Sequence, residues 1–233
     1  PETDRKIQFL FLQDVCKINN DWELTAGIRY DHYSDFGKTI NPRLSMVWQS
    51  SDKLTSKLMY GQGFRAPSFQ ELYTDSSRAK SNPYLQAEKS ETLELAFSYA
   101  LNKALNFDFN IFNFHLSDSI SKDANRQFQN FGEHKIYGIE AQTSWQLTND
   151  LKFIANYSHR FPQNNDLRVV EVPEQEAYLR ADWKFTPGWN WNVQANWVAE
   201  RIRSDNDSRD AVDDYLITDT TLRYRGLKQW EFA

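Results

Sequence analysis

An all-β, antiparallel up-and-down transmembrane β-barrel is the fold class predicted for this chain, and three observations predict it. Apolar and polar residues alternate with period two in segment after segment. Most of these segments run to about 10–13 residues, longer than the five or six usual in soluble sheets. The connections between them alternate between short and long.

The alternation is plainest in Tyr137-Gly138-Ile139-Glu140-Ala141-Gln142-Thr143-Ser144-Trp145, where odd positions are mostly apolar and even positions mostly polar. Leu179-Arg180-Ala181-Asp182-Trp183-Lys184-Phe185 repeats it, as does Trp189-Asn190-Trp191-Asn192-Val193-Gln194-Ala195-Asn196-Trp197. Side chains of a strand point alternately to its two faces, so each segment has one apolar and one polar face. A helix would scatter the same residues around its circumference.

Taken in order, eleven strands are expected near 6–17, 22–32, 41–50, 53–63, 90–101, 105–117, 135–147, 151–161, 175–185, 189–202 and 215–226, with a twelfth beginning around Gln229. Short turns separate them at Ile18–Asp21, Ser51–Asp52, Asn102–Ala104, Thr148–Asp150, Thr186–Gly188 and Gly226–Lys228. Longer polar loops fall between these turns, at 33–40, 64–89, 118–134, 162–174 and 203–214. Tight turns at one end and long loops at the other are the asymmetry of outer-membrane barrels, whose tilted strands need about 9–11 residues to cross lipid. Seven of the eight tryptophans (22, 48, 145, 183, 189, 191 and 230) lie within a few residues of a short turn; Trp197 does not. An indole has an apolar body and one polar N–H, so a band of them marks a lipid–water boundary. A soluble barrel or sandwich shares the alternation but accounts for neither the turn asymmetry nor the tryptophan band.

Composition narrows the function. With 27 Lys+Arg against 32 Asp+Glu, the net charge of −5 does not fit a nucleic-acid binder, whose footprint is basic. Cys16 is the single cysteine, so there is no internal disulfide, and no Cys or His spacing suggests zinc. Gly61-Gln62-Gly63-Phe64-Arg65-Ala66 fits a dinucleotide pattern, but Pro67 follows where a helix should begin and no α/β alternation supports it. His115 and Ser117 share a strand face near a rim, the placement a lipolytic pair would need; two polar residues at a strand end is the better reading. The five aspartates of loop 203–214 lack the ligand spacing of a calcium loop and read as a solvated loop. No metal or cofactor site and no enzyme activity is expected.

The stretch 41–95 is the informative one. Asn41-Pro42-Arg43-Leu44-Ser45 is followed by Tyr60-Gly61-Gln62-Gly63-Phe64-Arg65-Ala66-Pro67-Ser68-Phe69-Gln70-Glu71-Leu72-Tyr73, then by Asn82-Pro83-Tyr84-Leu85-Gln86-Ala87-Glu88-Lys89-Ser90. This series resembles the barrel of TonB-dependent outer-membrane receptors, in which a Phe-Arg-Ala-Pro box, Glu-Leu-Tyr and Asn-Pro-x-Leu-x-Pro-Glu-x-Ser occur in that order. Tyr137-Gly138-Ile139-Glu140 and Asp219-Thr220-Thr221-Leu222-Arg223-Tyr224 are also similar, and the resemblance runs from about residue 6 to the end. Ala87 stands where the family usually has Pro, which should relax the loop there.

The resemblance implies that residues 1–233 are a fragment of the barrel domain, about eleven of an expected 22 strands and roughly numbers 10 to 20. The plug domain and the last strands would be absent. It implies residence in the bacterial outer membrane and TonB-dependent transport of a ferric siderophore or similar large, scarce nutrient. The partners would be that ligand, outer-membrane lipid, and TonB reached through the plug. A cobalamin receptor of the same family and a plugless passive porin are the alternatives. Haem is disfavoured, because residues 68–81 hold none of the histidines that haem receptors of the family commonly carry there.

Ligand contacts are expected from external loops, at Arg65, Tyr73, Arg78, Lys80 and Tyr84, because cationic and aromatic groups suit anionic catecholate-like complexes. The polar faces should line the lumen and meet the plug through Glu140, Gln142, Ser144, Arg180, Asp182, Lys184, Asn190, Asn192, Gln194 and Asn196.

Overall fold

The strands follow one another around a single antiparallel sheet in sequence order. The computed structural model describes residues 4–162, 172–203, 207–210, 212–227 and 230–232. Its elements are β1 (Ile7–Lys17), β2 (Trp22–Tyr33), β3 (Gly37–Ser51), β4 (Leu54–Arg65), α1 (Phe69–Tyr73), β5 (Glu88–Asn102), β6 (Leu105–Lys122), β7 (Phe128–Thr148), β8 (Leu151–Pro162), β9 (Gln175–Thr186), β10 (Trp189–Ala199), β11 (Tyr215–Leu227) and the short β12 (Trp230–Phe232). Each strand hydrogen-bonds to its neighbours in the chain, from β1 at one edge to β12 at the other, in an open partial barrel.

Side-chain chemistry builds the short turns. Asn19 Oδ1 accepts from the backbone N–H groups of Asp21 and Trp22, and Asn102 Oδ1 accepts from those of Ala104 and Leu105. Ser51 Oγ and Thr148 Oγ1 do the same two and three residues ahead. Such Asx- and Ser/Thr-turns reverse the chain while satisfying the donors the sheet releases. The β9–β10 turn instead uses Gly188 at φ +80°, a left-handed conformation open to glycine.

Register confirms the two-faced pattern. Across β6–β10, Asp108 faces Gln142, Gln142 faces Asn156, Asn156 faces Tyr178, and Tyr178 faces Asn196. The other face carries Phe109, Ala141, Tyr157, Ala177 and Trp197 in the matching positions. Along the apolar face many large side chains stay open, Leu44 at 48%, Leu93 at 50% and Leu179 at 52%. A soluble sandwich would bury that face; an apolar face without a packing partner is suited to lipid.

The tryptophans form a belt on it. Trp22 stacks on Trp48 with ring centroids 5.1 Å apart, and Trp145–Phe153, Trp183–Trp191 and Trp189–Tyr224 continue the contacts around the sheet. Further up the same face, Tyr137 stacks on Phe161 at 4.9 Å. Trp145 and Tyr137 are eight residues apart on β7, or about 26 Å along the strand, which at a tilt of about 40° spans about 20 Å of the roughly 25 Å apolar band of such barrels.

Two expected loops are strand instead. The segment 33–40 shrinks to a turn at 34–36, with Gly37 at φ +102°, Tyr33 packed on Phe36 and the ladder resuming at once. The segment 118–134 is mostly the tip of the β6–β7 hairpin, whose strands reach Lys122 and start again at Phe128. Connection lengths at that end are therefore not uniformly long. The loop 64–89 contains α1, which the alternation did not foretell, and β10 ends at Ala199 rather than 202. Most of loop 162–174, and residues 204–206 and 211 of loop 203–214, lie outside the described residues.

Candidate ligand rim and polar wall

Arg65, the last residue of β4, organises the rim opposite the short turns. Its Nε lies 2.5 Å from Glu88 Oε2 at the start of β5, and its Nη1 lies 3.0 Å from Glu71 Oε2 on α1. One planar guanidinium with five donors thus ties three elements together, as its fork geometry allows. Glu88 also accepts from the backbone N–H of Ile120 on β6. The helix starts at a capping box: Ser68 Oγ accepts from the N–H of Glu71, whose carboxylate accepts from the N–H of Ser68. Burial raises the Glu71 pKa, but its bonds from Arg65 and Ser68 outweigh that and hold it below the usual carboxylate value.

Beyond α1 the chain folds back on the β6–β7 hairpin. Lys80 makes a parallel bridge with Gln127, taking N–H and C=O bonds to Arg126 and Phe128. Asn82 Nδ2 donates to the Phe128 carbonyl, while Gln86 and Asn130 bond each other twice. Asp75 accepts from the N–H and the hydroxyl of Ser81, and these two bonds lower its pKa. Leu72, Ala79, Leu85 and Ala87 are buried under this segment. The alanine in place of proline therefore packs into a small core. On the other side, Arg5 pairs with Asp35, donates to the Pro67 carbonyl and lies 4.8 Å from the Phe69 ring centroid.

The five expected ligand residues divide in two. Arg65 is held by carboxylates of its own chain. Tyr73, Arg78, Lys80 and Tyr84 are exposed around the rim, Tyr84 at 84%, with the Tyr73 and Phe69 rings 6.3 Å apart. Alternation could not reveal the clamp formed by Glu71, Glu88, Arg5, Asn82 and Asn130. Its one local sign was Ser68-Phe69-Gln70-Glu71, the spacing of a capping box.

All the residues expected on the polar wall share one face. Asn110 Nδ2 lies 3.2 Å from Glu94 and 3.5 Å from Glu140, bridging two carboxylates on the flanking strands. Arg180 pairs with Asp182 at 2.8 Å, and Asp182 also accepts from Asn192. Gln142 and Asn196 line the same concavity of about 550 Å³ as Glu140. Lys184 and Asn190 line another of about 600 Å³ beside the β9–β10 turn. Ser144 and Gln194 lie in register with them, opposite Asn106 and Asp219.

Two further residues singled out in the sequence have other partners. His115 Nε2 bonds Glu133, and no bond to Ser117 is present among the described residues. Asp207 is engaged by Arg209 and Arg203, and no acidic cluster fit for a metal exists among the described residues; Asp205 lies outside them.

A family model described as TonB dependent receptor-like, beta-barrel, matches residues 1–233. The chain belongs to that family. It is 22% identical to an iron-regulated outer membrane virulence protein of Vibrio cholerae, an alignment covering 92% of this chain and 37% of that protein. The chain thus spans less than two fifths of that relative's length. A mutant of the Pseudomonas aeruginosa ferric enterobactin receptor, solved in complex with enterobactin, superposes with a TM-score of 0.82 at 18% identity, over 96% of this chain and 38% of its own. The ferric-catecholate import receptor Fiu of Escherichia coli gives 0.79 at 16%, over 97% and 39%. The siderophore receptor PirA of Acinetobacter baumannii gives 0.80 at 17%, over 97% and 40%. At these identities the structures establish a shared barrel fold. This receptor barrel therefore belongs to the bacterial outer membrane, in a family of receptors rather than enzymes.

Proposed function

We propose that this barrel is part of a TonB-dependent receptor that imports a ferric siderophore of catecholate type. The observation that carries the reading is the family match over the whole chain, and the iron-regulated relative agrees with it. The rim suits the task. Tyr73, Arg78, Lys80 and Tyr84 present aromatic faces and cations to an anionic aromatic complex, on a loop that Arg65 and the β6–β7 hairpin keep in place. The polar wall, with Glu140, Gln142, Arg180, Asp182, Asn192 and Asn196, would face the lumen and hydrogen-bond a plug through which TonB acts. No bond of the ligand is broken, so binding and gating are the whole of the chemistry.

Replacing Tyr73, Arg78, Lys80 and Tyr84 together by alanine in the intact receptor tests the rim. Ferric enterobactin uptake should fall at least tenfold while the amount of receptor in the outer membrane is unchanged, since two lost cation or stacking contacts are worth about 1.4 kcal/mol or more. Unchanged uptake would remove the rim from the ligand site.

A further inference from the structure

We propose that Arg43 anchors the domain that fills the barrel, by pairing with a carboxylate of that domain beside the open notch at Gly61. This rests on the receptor reading above.

The arginines of the polar face otherwise satisfy one another's neighbours. Arg29 pairs with Asp31, Arg65 with Glu88, Arg160 with Glu176 and Arg180 with Asp182, and Arg223 is engaged as well. Arg43, on β3, has no hydrogen bond or ion pair among the described residues. Missing sheet at the β1 edge does not explain this. β2 and β1 lie between β3 and that edge, so a strand added beyond β1 would lie about 14 Å away, too far for one side chain to reach Arg43.

The surroundings make room for a visitor. Arg43 is directly opposite Gly27 on β2 and Gly61 on β4. Its own aliphatic stem covers Gly27, where an added Cβ would meet Arg43 Cγ at 3.0 Å. At Gly61 an added Cβ would meet nothing within 4 Å. No neighbour forces glycine there, and a glycine within a strand often marks the close approach of another backbone or ligand. The row is therefore a cation next to an empty position, on the wall that faces inward. An acidic side chain from the enclosed domain has the charge and the space to occupy it.

The test uses the intact receptor expressed in a strain made sensitive only by outer-membrane leaks. Arg43→Glu should admit vancomycin and lower its inhibitory concentration several-fold, and Arg43→Lys should stay sealed. Gly61→Val, which the backbone accommodates, should leak as well by filling the notch. A lysine at one carboxylate of the enclosed domain should reseal Arg43→Glu. Surface amount and heat-modifiable mobility establish that each variant folds. A sealed Arg43→Glu receptor, a leak that no charge reversal in the enclosed domain repairs, or loss of ferric enterobactin binding without a leak would each overturn the proposal. None of these touches the receptor reading, which falls separately if the wild type imports nothing or encloses no domain.

Discussion

Arg65 shows how a residue can be singled out for one role and placed in another. Its guanidinium is bonded to Glu71 and Glu88, so its charge is already matched inside the rim. Arg65→Ala leaves two partly buried carboxylates, with side chains 14% and 11% exposed, facing each other without a cation. Because Arg65 itself is 46% exposed and screened by water, the cost should be about 1–2 kcal/mol. It should appear as faster proteolytic nicking within 74–87, with the β-sheet intact by heat-modifiable mobility. Acid should act on the same joint. Glu71 has a folded-state pKa below its ordinary 4.5, so its stabilising contribution is complete above about pH 4.5 and fades as pH falls through the folded value. Amide exchange at 68–74, corrected for intrinsic rate, should therefore rise only on the acid side; a flat profile down to pH 3 would contradict this. The capping box was legible in the spacing of Ser68 and Glu71, whereas the partnership of Arg65 with Glu88 joins residues far apart in sequence and no local pattern announces it.

Among the elements, strands inside the lipid band were legible and those outside it were not. Within the band, lipid on one side and polar surroundings on the other impose strict alternation. Pairs such as Phe109 and Asn110 can therefore be assigned to their faces by parity alone. Above the band both faces are wet, so the constraint vanishes. The upper thirds of β6 and β7 read as loop although the ladder continues through Ser121–Gln129 and Lys122–Phe128. The irregular register between Leu116 and Ser119, with Asp118 at φ 56°, blurs the pattern further. The face assignment makes a sharp prediction. Phe109→Arg puts a cation at mid-membrane and should cost about 2–4 kcal/mol in assembled barrel, while Asn110→Arg, one residue on, should cost far less. Folding titrations of the intact barrel in lipid decide the matter: a larger cost for Asn110→Arg would mean the faces are reversed, and equal costs would mean neither residue faces lipid. Gly138→Val should also block assembly, because an added Cβ meets the Phe112 ring at 2.6 Å and the His159 carbonyl at 2.7 Å, and backbone cannot step aside.

For the molecule as a whole, the open sheet sets the limit. β1 and β12 each pair on one side only, and in lipid every unpaired backbone group costs several kcal/mol. Residues 1–233 alone should accordingly give no planar-bilayer conductance and no heat-modifiable band, and stable channels would contradict that. The chain covers 37% of the length of the Vibrio cholerae relative. Fold and family could be read from alternation, turn asymmetry and the motifs of 41–95; the ligand could not, since it depends on side chains gathered from loops that obey no period. The most direct measurement of the central claim is uptake of radioactive iron as ferric enterobactin by iron-starved cells carrying the intact receptor, with and without TonB. Uptake that needs both the receptor and TonB is the predicted result. Uptake that persists without TonB, or none above the receptor-less background for any ferric catecholate tried, would contradict it.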